Sequence, residues 1–190
     1  MNTTSIETRD GRVFDFARPD PAAISIETIA HALGNTIRFA GQLDFNWTVL
    51  SHSVSCAIEA KARGRSDHCV ASCLVHDFAE AYVGDLPSPL KTILPDYRKV
   101  ESEVADAINA KLDFTPSGYK DIDEEMAFYE ARAFLPSRGE SWEAPASGRL
   151  TPASATVRRY LAATAAGEDT SSEITDRFWK MYNNFFKLET

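Results

Sequence analysis

The 190-residue chain is long enough to bury a core without disulfide or metal staples, and it reads as one domain. A formal charge of −8 and a pI near 5.0 argue against an extended nucleic-acid surface. They leave room for a small anionic substrate, because a metal and a few local cations can override the global field.

Residues 1–10 are polar with no apolar signal core, and no apolar run approaches the ~20 residues needed to span a bilayer. A soluble cytoplasmic protein, with neither nucleic acid nor membrane as partner, is therefore expected. Residues 1–21 read as an irregular arm. Thr8-Arg9-Asp10-Gly11-Arg12 looks like a turn, Val13-Phe14-Asp15-Phe16 alternates like a short extended piece, and Pro19 and Pro21 oppose helix.

Ser25 has the chemistry of a helix N-cap, and Ile26, Ile29, Leu33 and Ile37 follow at helical spacing until Gly34-Asn35 interrupts. Arg38-Phe39 comes next; its ordinary role would be a surface arginine over a core ring. A second helix is expected over 47–62, with Val49, His52, Ser53, Cys56 and Ala60 on one face and Gly64 as its stop. Ser66 should cap a third, carrying Cys69, Val70, Cys73, Leu74 and Asp77 and ending at Gly84 and the prolines beyond. His31 is expected to be structural and His68 solvent-exposed.

Cys56, Cys69 and Cys73 lie within apolar patterns and are expected as small buried side chains in a reducing compartment. Cys69-x-x-x-Cys73 is not the spacing of a redox or zinc motif. Amphipathic helices are expected over 96–112 and 117–135, a polar loop over 136–147, a helix over 153–166, and a last helix capped by Ser171 or Ser172. Ile174, Phe178, Met181, Tyr182, Phe185 and Phe186 give that last helix an aromatic face for the core or for a second subunit. The chain reads as all-α: an arm (1–21), a metal-site core (22–135) and C-terminal helices (136–190).

The densest chemistry lies between Val75 and Lys91. His76 and Glu80 are four apart and Asp77 and Glu80 three apart, spacings that put polar groups on one side of a helix. An imidazole and carboxylates buried together call for a cation or strong pairing. His52, His76-Asp77 and Asp123 fall on three helices that can pack side by side. Together they offer a mixed nitrogen and oxygen set suited to one divalent ion with open positions: Co, Mn, Zn, Fe, Ni or Mg. Asp121, Asp123, Glu124, Glu125 and Glu130 would each by default be solvated carboxylates.

From about Ile24 to Ala133 the sequence resembles the HD-domain phosphohydrolases, and most of all their small 5′-deoxynucleotidase-like branch, which includes phage-encoded members. The resemblance rests on four features. They are Arg38-Phe39, Val49-Leu50-Ser51-His52-Ser53, Asp123 with Glu130 seven residues on, and His76-Asp77-x-x-Glu80-Ala81-Tyr82-x-Gly84-Asp85-Leu86-Pro87-x-Pro89-x-Lys91. It implies an all-α HD helical bundle with His52, His76, Asp77 and Asp123 as metal ligands. Asp123 is preferred to Asp121 because Glu130 follows it.

The resemblance further implies Glu80 and Asp85 as catalytic acids and Arg38 as the contact to substrate phosphate or sugar. Phe39 stands where a tryptophan commonly contacts the deoxyribose, which leaves rejection of the ribose 2′-OH open. Lys91 and Lys120 are weaker substrate-binding candidates, with surface solvation as their ordinary role. The implied activity is release of orthophosphate from (deoxy)nucleoside 5′-monophosphates; the alternatives are a dNTP triphosphohydrolase and a non-catalytic metal-binding module. The aromatic last helix, and the habit of small family members, suggest a homodimer or higher homo-oligomer.

Overall fold

The computed structural model describes residues 3–142 and 150–186. Within the segment expected to be irregular, β1 (Ser5–Glu7) pairs antiparallel with β2 (Val13–Asp15), in register Ile6↔Phe14. Gly11 takes φ +79° in the connecting turn, a region glycine enters without a Cβ penalty. The register turns Phe14 inward, where it is fully buried and stacks on Tyr82 at 4.1 Å. The arm is thus an anchored hairpin. Three residues per strand carry too little alternation to announce a pairing.

The remainder is helical. Ser25 caps α1 (Ile26–Asn35) by accepting from Thr28 N. The second helix, α2 (Val49–Ala62), begins two residues later than expected because the Thr48 hydroxyl accepts from Ser51 N and fixes the start there. It is buried on almost every side and packs against α1 and the later helices. Its small residues, Ser51, Ser53, Ser55, Ala57 and Ala60, let neighbours approach it closely.

The next helix, α3 (Asp67–Val75), is capped by Ser66, which accepts from Cys69 N. It stops before the His-Asp pair rather than running through Asp77. His76 Nδ1–H donates to the Cys73 carbonyl at 2.8 Å, the acceptor a continuous helix would offer to the Asp77 N–H. The backbone tightens to three-residue bonds, Phe78 N to Val75 O and Glu80 N to Asp77 O, before α4 (Glu80–Val83). In that tighter winding residues three apart eclipse, so Asp77 and Glu80 share a side where the four-residue spacing had paired His76 with Glu80.

Gly84, at φ +82°, ends α4. A short α5 (Ser88–Thr92), not expected from the two prolines, precedes α6 (Pro95–Leu112). Pro95 sits at the first position of α6, where a missing N–H costs nothing. Then follow α7 (Lys120–Phe134), α8 (Ala155–Ala165) capped by Ser154, and α9 (Ser171–Phe186). Since Ser171 already lies inside α9, the cap position falls at Thr170, whose carbonyl accepts from Ile174 N. Residues 143–147 of the expected loop lie outside the described residues.

The aromatic face of α9 turns inward: Ile174, Phe178 and Tyr182 are buried, and Phe178 meets Phe78. A polar network ties α8 to α2 and α7. Arg63 donates to Glu59, Glu125 and Tyr129, and Glu59 accepts from Ser154 N at the α8 cap. Glu125 is therefore a buried partner and not a solvated acid. No helix of the described residues is long and apolar enough to cross a membrane.

Candidate metal centre

Three elements bring the chemistry together: α2 supplies His52, the tight turn after α3 supplies His76 and Asp77, and the first turn of α7 supplies Asp123. His52 Nε2 lies 2.9 Å from Asp123 Oδ1 and 3.9 Å from Asp77 Oδ2. His76 Nε2 lies 3.2 Å from Asp77 Oδ2 and 3.6 Å from Asp123 Oδ1. Donor atoms around one ion at about 2.0–2.2 Å sit about 3.0–3.5 Å apart, so these spacings suit a single shared cation.

Hydrogen bonding on the far side of each ring decides which nitrogen faces the cluster. His76 Nδ1 must donate, because its partner, the Cys73 carbonyl, only accepts. Nε2 is left with a lone pair, buried and without a hydrogen-bond partner. His52 Nδ1 donates to Glu130 Oε1 at 2.7 Å, so its Nε2 lone pair faces the Asp123 oxygen. Two acceptors at 2.9 Å need a proton or a cation between them. The residues fit a divalent ion.

On the protein's own charges, protons take that place. Burial and the Arg38 guanidinium both oppose charge on His52, but Glu130 and Asp123 outweigh them and raise it to about 9. Burial likewise opposes charge on His76; Asp77 and Asp123 win and lift it well above the ordinary imidazole value. Burial would raise Asp77, yet His76 and His52 hold it at about 2. Asp123 stays far below the usual carboxylate range because the same two imidazoles offset its burial.

Arg38 lies at the base of an excursion closed by the Ile37–Thr48 bridge and by its own N–H to Trp47 O. It is not a surface arginine: Nε donates to Glu130 Oε2 at 3.2 Å and Nη1 is 3.8 Å from Asp77 Oδ2. Phe39 and Ala40 follow with φ of 58° and 51°, a costly left-handed pair for residues with side chains. Phe39 packs partly on the core, 6.5 Å from the Trp142 ring. Trp47 is fully buried against Phe134 and offers no face to a ligand.

Glu80 is buried; Oε1 accepts from Lys91 Nζ at 2.9 Å and Oε2 has no partner. Burial and the Asp77 and Asp85 carboxylates push it up to about 8, against the pull of Lys91. Lys91 also donates to Glu101 at 2.7 Å, so its ammonium stays charged whichever state Glu80 takes. Lys91 is thus a covered cation shared by two acids, where solvation was its ordinary expectation. Asp85, just past Gly84, is raised by burial and by Asp77, with Arg38 opposing. Lys120 is exposed at the first residue of α7. Asp121 pairs with Arg65 away from the cluster, so the structure brings Asp123 to it instead.

Three contacts were not foreseen. Glu130, expected as a solvated acid, is fully buried and holds both His52 and Arg38. The available signal was its seven-residue spacing from Asp123, two turns along one helix face. Glu101, on α6, completes the Lys91 pairing. Cys56, one turn after His52, places Sγ 3.5 Å from His52 Nε2. A separate groove of about 810 Å³, lined by Arg132, Arg138, Arg158 and Leu161 among others, shares no residue with the cluster.

Comparison with known proteins gives a family match. A family described as HD domain matches residues 34–144, an interval that contains Arg38, His52, His76, Asp77, Glu80, Asp85, Asp123 and Glu130. The uncharacterized protein YfdR of Escherichia coli (strain K12) is 34% identical over 111 residues, spanning 58% of this chain and 60% of that protein. An uncharacterized protein of Rhodobacter capsulatus is 30% identical over 106 residues, 53% of this chain and 54% of its own length. The matches thus span little more than half the length of these curated relatives.

Proposed function

The chain belongs to the HD-domain family, and from that premise we propose that it is a metal-dependent phosphohydrolase that releases orthophosphate from nucleoside 5′-monophosphates, deoxy forms included. The observation that carries this reading is the buried His76 Nε2, without a hydrogen-bond partner and within 3.6 Å of two carboxylates that also face His52. His52, His76, Asp77 and Asp123 would hold the ion. A divalent cation there lowers the pKa of the water it binds and draws charge from a phosphoryl oxygen.

The surrounding side chains have distinct tasks. Glu80 Oε2, buried and without a partner, would orient the attacking water and take its proton, while Oε1 is fixed by Lys91. Asp85, with its raised pKa, suits delivery of a proton to the leaving 5′-oxygen. Arg38 is steered by Glu130 through Nε, and its outer N–H groups, of which Nη1 lies 3.8 Å from Asp77, would meet the phosphate. Glu130 fixes the His52 tautomer, as carboxylates behind ligand imidazoles do. Phe39 offers a ring without an N–H, so weak rejection of ribose is expected.

The charge balance favours a monophosphate. Arg38 and Lys91, the cations that meet the acids of this site, are each shared between two carboxylates, which leaves little positive charge for a triphosphate tail. The test is a panel of dNMPs, NMPs and dNTPs with Mn²⁺, Co²⁺, Mg²⁺ and Zn²⁺, with the phosphate product identified. Orthophosphate from monophosphates is expected. Tripolyphosphate from dNTPs would replace the proposal with triphosphohydrolysis, and no turnover by a protein that binds metal would leave a binding module.

A further inference from the structure

Cys56 has no part in the reaction just described, yet it adjoins the centre. It sits one turn beyond His52 on α2, fully buried. The donor atoms of His52, Cys56 and Asp123 lie within 4.8 Å of one another, as do those of His52, His76 and Asp77. The cluster thus offers two overlapping ligand triads with His52 in common. A nitrogen at about 2.0 Å and a sulfur at about 2.3 Å from a tetrahedral ion are about 3.5 Å apart. The observed separation of Sγ from His52 Nε2 is 3.5 Å.

The surroundings of the thiol suit a soft cation. Sγ is buried beside the same His52 nitrogen that faces Asp123, so the three donors can reach one cation together. His76 Nε2, buried and without a hydrogen-bond partner, faces the same cluster and marks it as a place for a cation.

We propose that His52, Cys56 and Asp123 form a sulfur-containing position for a thiophilic divalent cation, of the Zn²⁺ or Cd²⁺ kind, alternative to the His76–Asp77 side of the centre. When the metal–sulfur bond forms, the thiol proton passes to solvent and nothing is oxidised or reduced. His52 Nε2 has one lone pair, so the two positions exclude each other. Hard ions such as Mg²⁺ and Mn²⁺ gain nothing from sulfur and seat among imidazole and carboxylate, whereas softer ions are drawn toward Cys56. The identity of the bound metal would then decide whether His76 and Asp77 are engaged. This rests on the cluster being a metal centre but not on the reaction assigned to it.

The test uses the full chain, stripped of metal and titrated with Co²⁺, with bound cobalt measured by dialysis. A thiolate–Co(II) bond adds a near-ultraviolet charge-transfer absorption that nitrogen and oxygen donors lack. That absorption is expected in the unaltered protein, in His76→Ala and in Cys73→Ala, and should vanish in Cys56→Ser. In Cys56→Ser, displacement of Mn²⁺ by Zn²⁺, followed by electron paramagnetic resonance, should need about tenfold more Zn²⁺ or greater. Cobalt bound without the band, or a band that survives Cys56→Ser, overturns the proposal and leaves the metal centre standing. Failure of any ion to bind the unaltered protein overturns both. Should Cys56→Ser fail to fold, the spectrum of the unaltered protein still decides.

Discussion

Replacing Glu130 tests the support behind the cluster. Its two oxygens receive His52 Nδ1–H at 2.7 Å and Arg38 Nε–H at 3.2 Å, and no part of it reaches solvent. Glu130→Ala leaves a buried guanidinium with only the 3.8 Å contact to Asp77, and an imidazole N–H with no acceptor. Removing one partner of a buried pair costs about 3–5 kcal/mol, a fifth or more of the ~5–15 kcal/mol that holds a typical domain. With a urea slope of about 2 kcal/mol/M, the unfolding midpoint of the metal-stripped protein should fall by about 1.5–2.5 M.

Glu130→Gln is the sharper variant, because the side chain keeps its shape but has one acceptor for two donors. One N–H goes unsatisfied, at about 1–3 kcal/mol, so the midpoint should fall by about 0.5–1.5 M. If the amide turns its NH₂ toward His52, the ring must flip tautomer and Nε2 loses the lone pair that faces Asp123. Metal affinity should then drop by about 10–100-fold. Urea unfolding by circular dichroism and calorimetric titration with Mn²⁺ read the two effects. A Glu130→Gln protein with unchanged midpoint and unchanged affinity would refute the assignment of Glu130 as the group that orients His52.

Other outcomes follow from the same geometry. His76→Ala and Asp77→Ala should lose Mn²⁺ and turnover together, whereas Glu80→Ala should keep Mn²⁺ and lose turnover; normal turnover in Glu80→Ala would remove it as the base. Mn²⁺ competes with protons on His52 and His76, both raised, so apparent affinity should climb from pH 6 to about 9; a flat titration would mean the imidazoles are not ligands. For the metal-stripped protein, the His52 contribution to stability is full below the unfolded value near 6.5 and is lost as pH rises through about 9. Asp77 acts oppositely: its contribution is present above about 4 and is lost as pH falls through about 2, so urea midpoints should decline at both extremes. Arg63→Ala strands Glu59 and Glu125 and should cost about 2 kcal/mol without altering Mn²⁺ affinity, because that network meets α8 and not the cluster.

Much of the molecule was legible in its residues. The caps at Ser25 and Ser66, the aromatic stripe of α9 (though not whether it faces the core) and the register of α6 follow from local hydrogen bonding and helical periodicity, which a linear chain displays. His52, His76 and Asp77 stood out because imidazoles and carboxylates on apolar helix faces need a common partner, and the family resemblance added Asp123 through Glu130. What the chain did not display depends on contacts between residues distant in sequence. The break after Val75 arises because a His76 ring nitrogen takes a carbonyl that the backbone would have used. The solvated or buried fate of an acid depends on the cation that meets it, so Asp121 faces Arg65 at the surface while Glu130 meets Arg38 inside.

The sequence alone determined where the long helices lie, the stripe each carries and which donor types are available, because these are properties of spacing and side-chain chemistry along one chain. Tertiary packing alone decided that Asp121 turns to Arg65, that Lys91 is shared between Glu80 and Glu101, and that Cys56 comes within reach of His52 Nε2. Hydrogen bonds and ion pairs act over a few ångströms, and separations that small between distant residues exist only once the helices have packed.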